Sequence, residues 1–185
     1  MPDGSRLDVT KLGGSNNNNN NDNNNNNDNP APIERLYLYN NGEVNPNIGV
    51  FTSKGTANEG AGAKAPTVTQ NATDITVNLY SDYQGGIAYW PNTIDLTNYN
   101  TLRFEGTLEA QDYGTHQGSA NWVKFCVWKY IPDVEGKEAA SAYPENGRYV
   151  EELSIDISTL KEEYYIGFDL YHCGNIMIKK IWLEP

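Results

Sequence analysis

Trp122, Lys124, Trp128 and Tyr130 occupy alternate positions of the stretch WVKFCVWKY, and Tyr165, Asp169 and Tyr171 share one parity in YIGFDLY. In an extended chain, side chains two apart lie on the same face. The opposite parity holds Val123, Phe125 and Val127 in the first stretch and Ile166, Phe168 and Leu170 in the second. If the two strands enter one sheet, its outer face presents aromatic rings beside a carboxylate and an ammonium. Rings of this kind cover the apolar C–H faces of a pyranose, while amides and carboxylates bond its hydroxyls. That is sugar-recognition chemistry. Asn78 and Tyr80, outward-facing in ITVNLY, would add to it. The competing arrangement is that loop 112–121 closes over the rings as a second small core, since Trp is highly buried on average.

Catalytic patterns are missing. The chain has no GxSxG elbow, no HExxH and no phosphate-cradling glycine loop. His116 and His172 lack obvious partners. Glycoside hydrolysis needs two facing carboxyls, whereas Glu152 and Asp156 on one strand face would stand about 13 Å apart. The expectation is a protein that is not an enzyme and needs no cofactor. NNGEVNPN, residues 40–47, could supply oxygen ligands to a structural calcium, although it lacks a recognisable loop spacing.

These side chains need strands to position them, and the pattern supplies strands. Apolar residues recur with period two in ITVNLY (Ile75, Val77, Leu79), LRFEGTL (Leu102, Phe104, Leu108) and LSIDI (Leu153, Ile155, Ile157). NIMIKKIWLE is apolar on both faces. Turn signals separate the runs: Asn40-Asn41-Gly42, Gly85-Gly86, Asn146-Gly147 and Cys173-Gly174-Asn175. One helical turn fits STLKE, residues 158–162. About nine or ten short antiparallel strands, each with one apolar face, imply two stacked sheets. The expected fold is an all-β antiparallel β-sandwich of the jelly-roll type, spanning residues 32–185.

Ahead of it, residues 16–29 are all Asn or Asp. Such side chains compete with backbone ladders, and nothing apolar offsets the entropy of ordering them. Residues 16–31 are read as a disordered, flexible linker with a typical reach of roughly 20 Å. Residues 1–15 are too few to bury a core. Leu7, Val9 and Leu12 fit an anchoring peptide that adds a strand to a partner's sheet edge.

The net charge is −11, and the first 29 residues hold four acids and two bases, so most of the charge lies beyond them. An acidic body without a Lys/Arg cluster argues against nucleic-acid and anionic-membrane partners. No segment has the apolar length to span a bilayer. The Met1 end lacks the basic and apolar regions of a secretory signal, so Cys126 and Cys173 read as cytoplasmic free thiols. Oligomerisation stays open.

Three segments carry a resemblance. NTIDLTNYNTLRFEG, ELSIDISTLKEEYYIGFDLY and NIMIKKIWLE resemble, in that order, the second half of galactose-binding-like, carbohydrate-binding-module-like jelly rolls, across residues 92–183. There an IDLS-x-Y-x-x-L-x-F strand, an IDIS-x-L strand and a terminal IKKIWL strand recur. The resemblance implies a jelly roll that binds glycans without catalysis, and it directs attention to Tyr89 and Trp90 at a strand end where such modules often hold a ligand, the other reading being that they are packed loop residues. DGSRLDVTKLGG resembles the N-terminal leader of phage fibre or decoration proteins. It implies a module made in the host cytoplasm and displayed on a bacteriophage virion, with a capsid or tail protein as partner and a polysaccharide as ligand. Two alternatives remain: a carbohydrate-binding module of a secreted bacterial glycan-degrading system, and a purely structural decoration protein.

Overall fold

Leu102, Phe104 and Leu108 alternate with Arg103, Glu105 and Glu109, and only an extended chain sends the two sets to opposite faces. The computed structural model describes residues 33–56, 65–111, 122–132, 138–144 and 149–185, and in it the first set is buried to within 1 %. These residues belong to one compact unit, Ile33–Pro185. The peptide bearing Leu7, Val9 and Leu12, the Asn run, loop 112–121 with His116, and Asn146-Gly147 lie outside the described residues.

The described residues form eleven strands and no helix. In order they are β1 (Leu36–Asn40), β2 (Glu43–Val44), β3 (Thr52–Thr56), β4 (Thr67–Gln70), β5 (Ile75–Tyr89), β6 (Ile94–Asp95), β7 (Thr101–Ala110), β8 (Trp122–Trp128), β9 (Glu138–Ala142), β10 (Tyr149–Asp156) and β11 (Glu163–Glu184). Among the described residues their pairings are all antiparallel.

β11 is the spine. Its first half runs between β5 and β8, and with β3 and β9 outside them this gives a first layer ordered β3-β5-β11-β8-β9. Its second half runs between β7 on one edge and β5, then β1, on the other, with β10, β4 and β2 flanking. Two long strands, β5 and β11, therefore pass from one layer to the other, and the layers are a single sheet folded on itself. Rings from both layers meet in the core: Phe104 of β7 lies 5.7 Å from Phe125 and 5.6 Å from Phe168.

The fold of the sheet falls at His172. Tyr171 pairs with Gly85 and Cys173 with Tyr80, so one residue of β11 faces four of β5. His172 sits at φ 62°, a left-handed conformation that few side chains adopt, and is 3 % exposed. This corrects two expected turns. Gly85-Gly86 and Cys173-Gly174-Asn175 lie inside strands, and Gly174 answers to crowding: a Cβ there would meet Val123 Cγ2 at 2.3 Å.

A second irregularity resolves the two-faced NIMIKKIWLE. The register against β7 shifts between Ile178 and Lys180, so Ile176 and Ile178 point inward before the shift and Ile181 and Leu183 after it. Asp95 and Asp156 in the IDLT and IDIS segments each accept a bond from the backbone N–H two residues on, both at 2.9 Å. These turns end their strands, and the expected helical turn over 158–162 is the turn after Asp156.

Candidate functional site

Strands β8 and β11 are immediate neighbours, and their register sets Trp122 opposite Tyr171, Lys124 opposite Asp169 and Trp128 opposite Tyr165. Because Val123, Phe125, Val127, Ile166, Phe168 and Leu170 fill the core, these three pairs stand on the outer face of the first layer. The face divides in two.

At one end it is aromatic and polar. The Trp122 and Tyr171 rings stack with centroids 4.1 Å apart and planes 14° from parallel. Lys124 Nζ lies 5.4 Å from the Trp122 centroid and 3.3 Å from Glu138 Oε1. Asp169, between them, has its carboxyl raised to about 6. Burial is the main cause, Glu138 adds to it, and the Lys124 ammonium and the Trp122 N–H oppose it. That indole N–H lies near enough to favour the ionised acid, yet it is buried and aligned on no acceptor at bonding geometry among the described residues. Stacked rings, a cation and two carboxyls suit a polyhydroxylated ligand.

At the other end the face is apolar. Trp128 is 3 % exposed and packs with Ile87 and Cys126, flanked by Tyr89 and Tyr165. Tyr89 and Tyr165 are half-buried and meet edge to face at 6.4 Å. At this end the described rings form a small second core of their own, while loop 112–121, expected to close over them, lies outside the described residues. Tyr130, just past β8, is 81 % exposed.

Trp90 is elsewhere. It is 1 % exposed and packs edge-on against Phe51 at 4.6 Å in the main core, so it offers no ring face to a ligand. The cause is parity: the unequal crossing at the sheet's fold sends Ile87 and Tyr89 outward and Ala88 and Trp90 inward. Asn78 and Tyr80 lie on the second layer, away from the Trp122 group, and the Tyr80 hydroxyl lies 2.9 Å from Gln111 Oε1 and 3.0 Å from Asn175 Oδ1. Within residues 40–47, Asn45 Oδ1 accepts the Asn47 N–H at 3.0 Å and its amide donates to the Tyr37 carbonyl at 3.2 Å. No group of three or more His, Cys, Asp or Glu that could hold a metal occurs among the described residues. Cys126 and Cys173 are buried and form no disulfide among the described residues, and burial pushes the Cys126 thiol well up.

Parity reasoning missed one cluster. Trp182, Tyr37, Arg35, Arg103 and Glu184 gather on the outer face of the second layer. The shift before Lys180 is what turns Trp182 outward, and an unbroken alternation hides it.

The described chain is an antiparallel β-sandwich with a mixed aromatic and polar outer face. No protein-family model and no curated protein sequence matches it. Among solved structures it is similar to a family 29 carbohydrate-binding module, at 11% identity and a TM-score of 0.44, over 82% of this chain and 92% of that one. It is also similar to the xylan-binding module CBM15, at 12% identity and 0.37 over 73% and 95% of the two chains. A third is the enzymatically active domain of tailspike protein 4 of bacteriophage CBA120, at 15% identity and 0.42, over 74% of this chain and 20% of that one.

Proposed function

We propose that the folded unit is a non-catalytic glycan-binding module, and that the segment ahead of it serves as tether and anchor for display on a phage particle. The observation that carries glycan binding is the Trp122–Tyr171 stack standing beside Lys124, Glu138 and Asp169 on one outer sheet face. The ring edges give the ligand apolar surface, and the charged groups give it directed hydrogen bonds. Burying ~100 Å² against the rings contributes about 2.5 kcal/mol. Three hydrogen bonds at about 1 kcal/mol each bring the gross gain to roughly 5–6 kcal/mol, and association costs bring the affinity near millimolar. A binder this weak needs many copies, which a particle supplies.

The test compares two tryptophans on polysaccharide affinity gels. Trp122→Ala weakens retention and keeps its Tm within a few degrees of wild type. Trp128→Ala, emptying a site that is 3 % exposed, costs about 3–5 kcal/mol and lowers Tm sharply. Unchanged retention of folded Trp122→Ala rejects the assignment.

A further inference from the structure

On the opposite side of the sandwich, Tyr37, Trp182, Arg103 and Ser154 form one cross-strand row over β1, β11, β7 and β10. The Tyr37 and Trp182 centroids are 6.1 Å apart, with planes inclined by 39°. Glu184 ties the row together. Its Oε1 accepts the Trp182 indole N–H at 2.9 Å and Arg35 Nη2 at 2.8 Å, and its Oε2 accepts Arg103 Nε at 3.0 Å. The Arg35 guanidinium also lies 5.3 Å from the Trp182 centroid. Trp182 is therefore half-exposed yet held in place, which lowers the ordering cost of binding against it.

Beside Trp182 lies a groove of about 340 Å³ lined by Arg103, Glu152, Ser154 and Glu184. It shares Glu152, Leu153 and Ser154 with a wider groove of about 790 Å³ that reaches Tyr143 and Tyr149. Tyr143 is 59 % exposed and Tyr149 43 %. The path runs across neighbouring strands, ~5 Å per strand, so it accommodates more than one sugar ring. Glu152 makes no ion pair among the described residues and is free to accept hydroxyl protons, while Arg103 donates. The two grooves share the Glu152 carboxylate, and the chain has a net charge of −11, so a polymer with its own carboxylates is repelled.

We propose that this groove is a second glycan-binding site, for an uncharged polysaccharide, and that one molecule bridges two glycan chains from its two outer faces. The site shares the carbohydrate chemistry of the Trp122 face but none of its residues, so either can fail alone.

The experiment uses the full chain in affinity gels containing hydroxyethyl-cellulose, xylan, galactomannan or polygalacturonate, with Tm recorded for every variant. On the neutral polymer that retards wild type most, Trp182→Ala and Ser154→Lys each weaken retention about fivefold, as does Trp122→Ala. The Trp122→Ala/Trp182→Ala double variant is not retained. Ser154 is exposed on β10, so Ser154→Lys blocks the groove without entering the core and decides the matter if Trp182→Ala misfolds. In light scattering, wild type clusters the polymer and each single-face variant does not. Wild-type retention by Ser154→Lys together with weakened Trp122→Ala overturns the second site alone. Failure of wild type on all three neutral polymers overturns both faces, and strongest retention on polygalacturonate overturns the uncharged ligand.

Discussion

Burial on the outer face raises the Asp169 carboxyl from 3.8 to about 6, even with the Lys124 ammonium nearby. The folded state holds that proton more tightly than the unfolded chain does. The stability it contributes is therefore complete below pH about 4 and is lost as pH rises through 6. The span corresponds to up to roughly 3 kcal/mol. Asp169→Asn, which cannot ionise, should raise Tm relative to wild type at pH 8, with the gain fading to nothing at pH 4. Thermal melts across this range check it. A wild-type–variant difference that stays constant with pH refutes the assigned carboxyl. Among the described residues the Lys124 ammonium pairs with Glu138 rather than with Asp169.

Among elements, β11 decides the architecture, because its 22 residues touch both layers. Its passage through the fold relies on Gly174, where a Cβ would stand 2.3 Å from Val123 Cγ2, a side chain that is 1 % exposed. Gly174→Ala should cost about 2–3 kcal/mol and lower Tm by roughly 5–10 °C. A Tm unchanged to within about a degree would show that the corner yields freely. Alternation alone identified β7, β8 and the first half of β11, and it sent the correct sets outward on β8 and that half of β11, since these stretches keep a strict period of two; the second half of β11 read as two-faced because its parity shifts before Lys180. It failed where strands cross between layers. Gly85-Gly86 and Cys173-Gly174-Asn175 carry turn composition but sit in close-packed strand, and local composition cannot report a clash with Val123 from another strand. Trp182 was missed because an extra residue before Lys180 flips the parity, and the inward turn of Trp90 likewise depends on the unequal crossing at the fold; only the partner strands reveal either.

For the whole molecule, two outer faces with aromatic and charged side chains stand on opposite sides of one hydrophobic core. Weak sites become useful through number, either two per molecule or many molecules per particle. In the display reading, the segment bearing Leu7, Val9 and Leu12 is the anchor. Deleting residues 1–15 should then abolish incorporation into particles while leaving glycan retention intact, and an unchanged copy number on purified particles rejects it.

The four tryptophans allow the most direct measurement, since Trp90 and Trp128 are buried while Trp122 and Trp182 are half-exposed on the two outer faces. In indole-¹⁵N-labelled protein titrated with soluble neutral oligosaccharides to millimolar concentration, the Trp122 N–H resonance should move, with Trp182 following if the second groove binds, and Trp90 and Trp128 should hold still. A Trp122 resonance that stays fixed for every oligosaccharide contradicts the account.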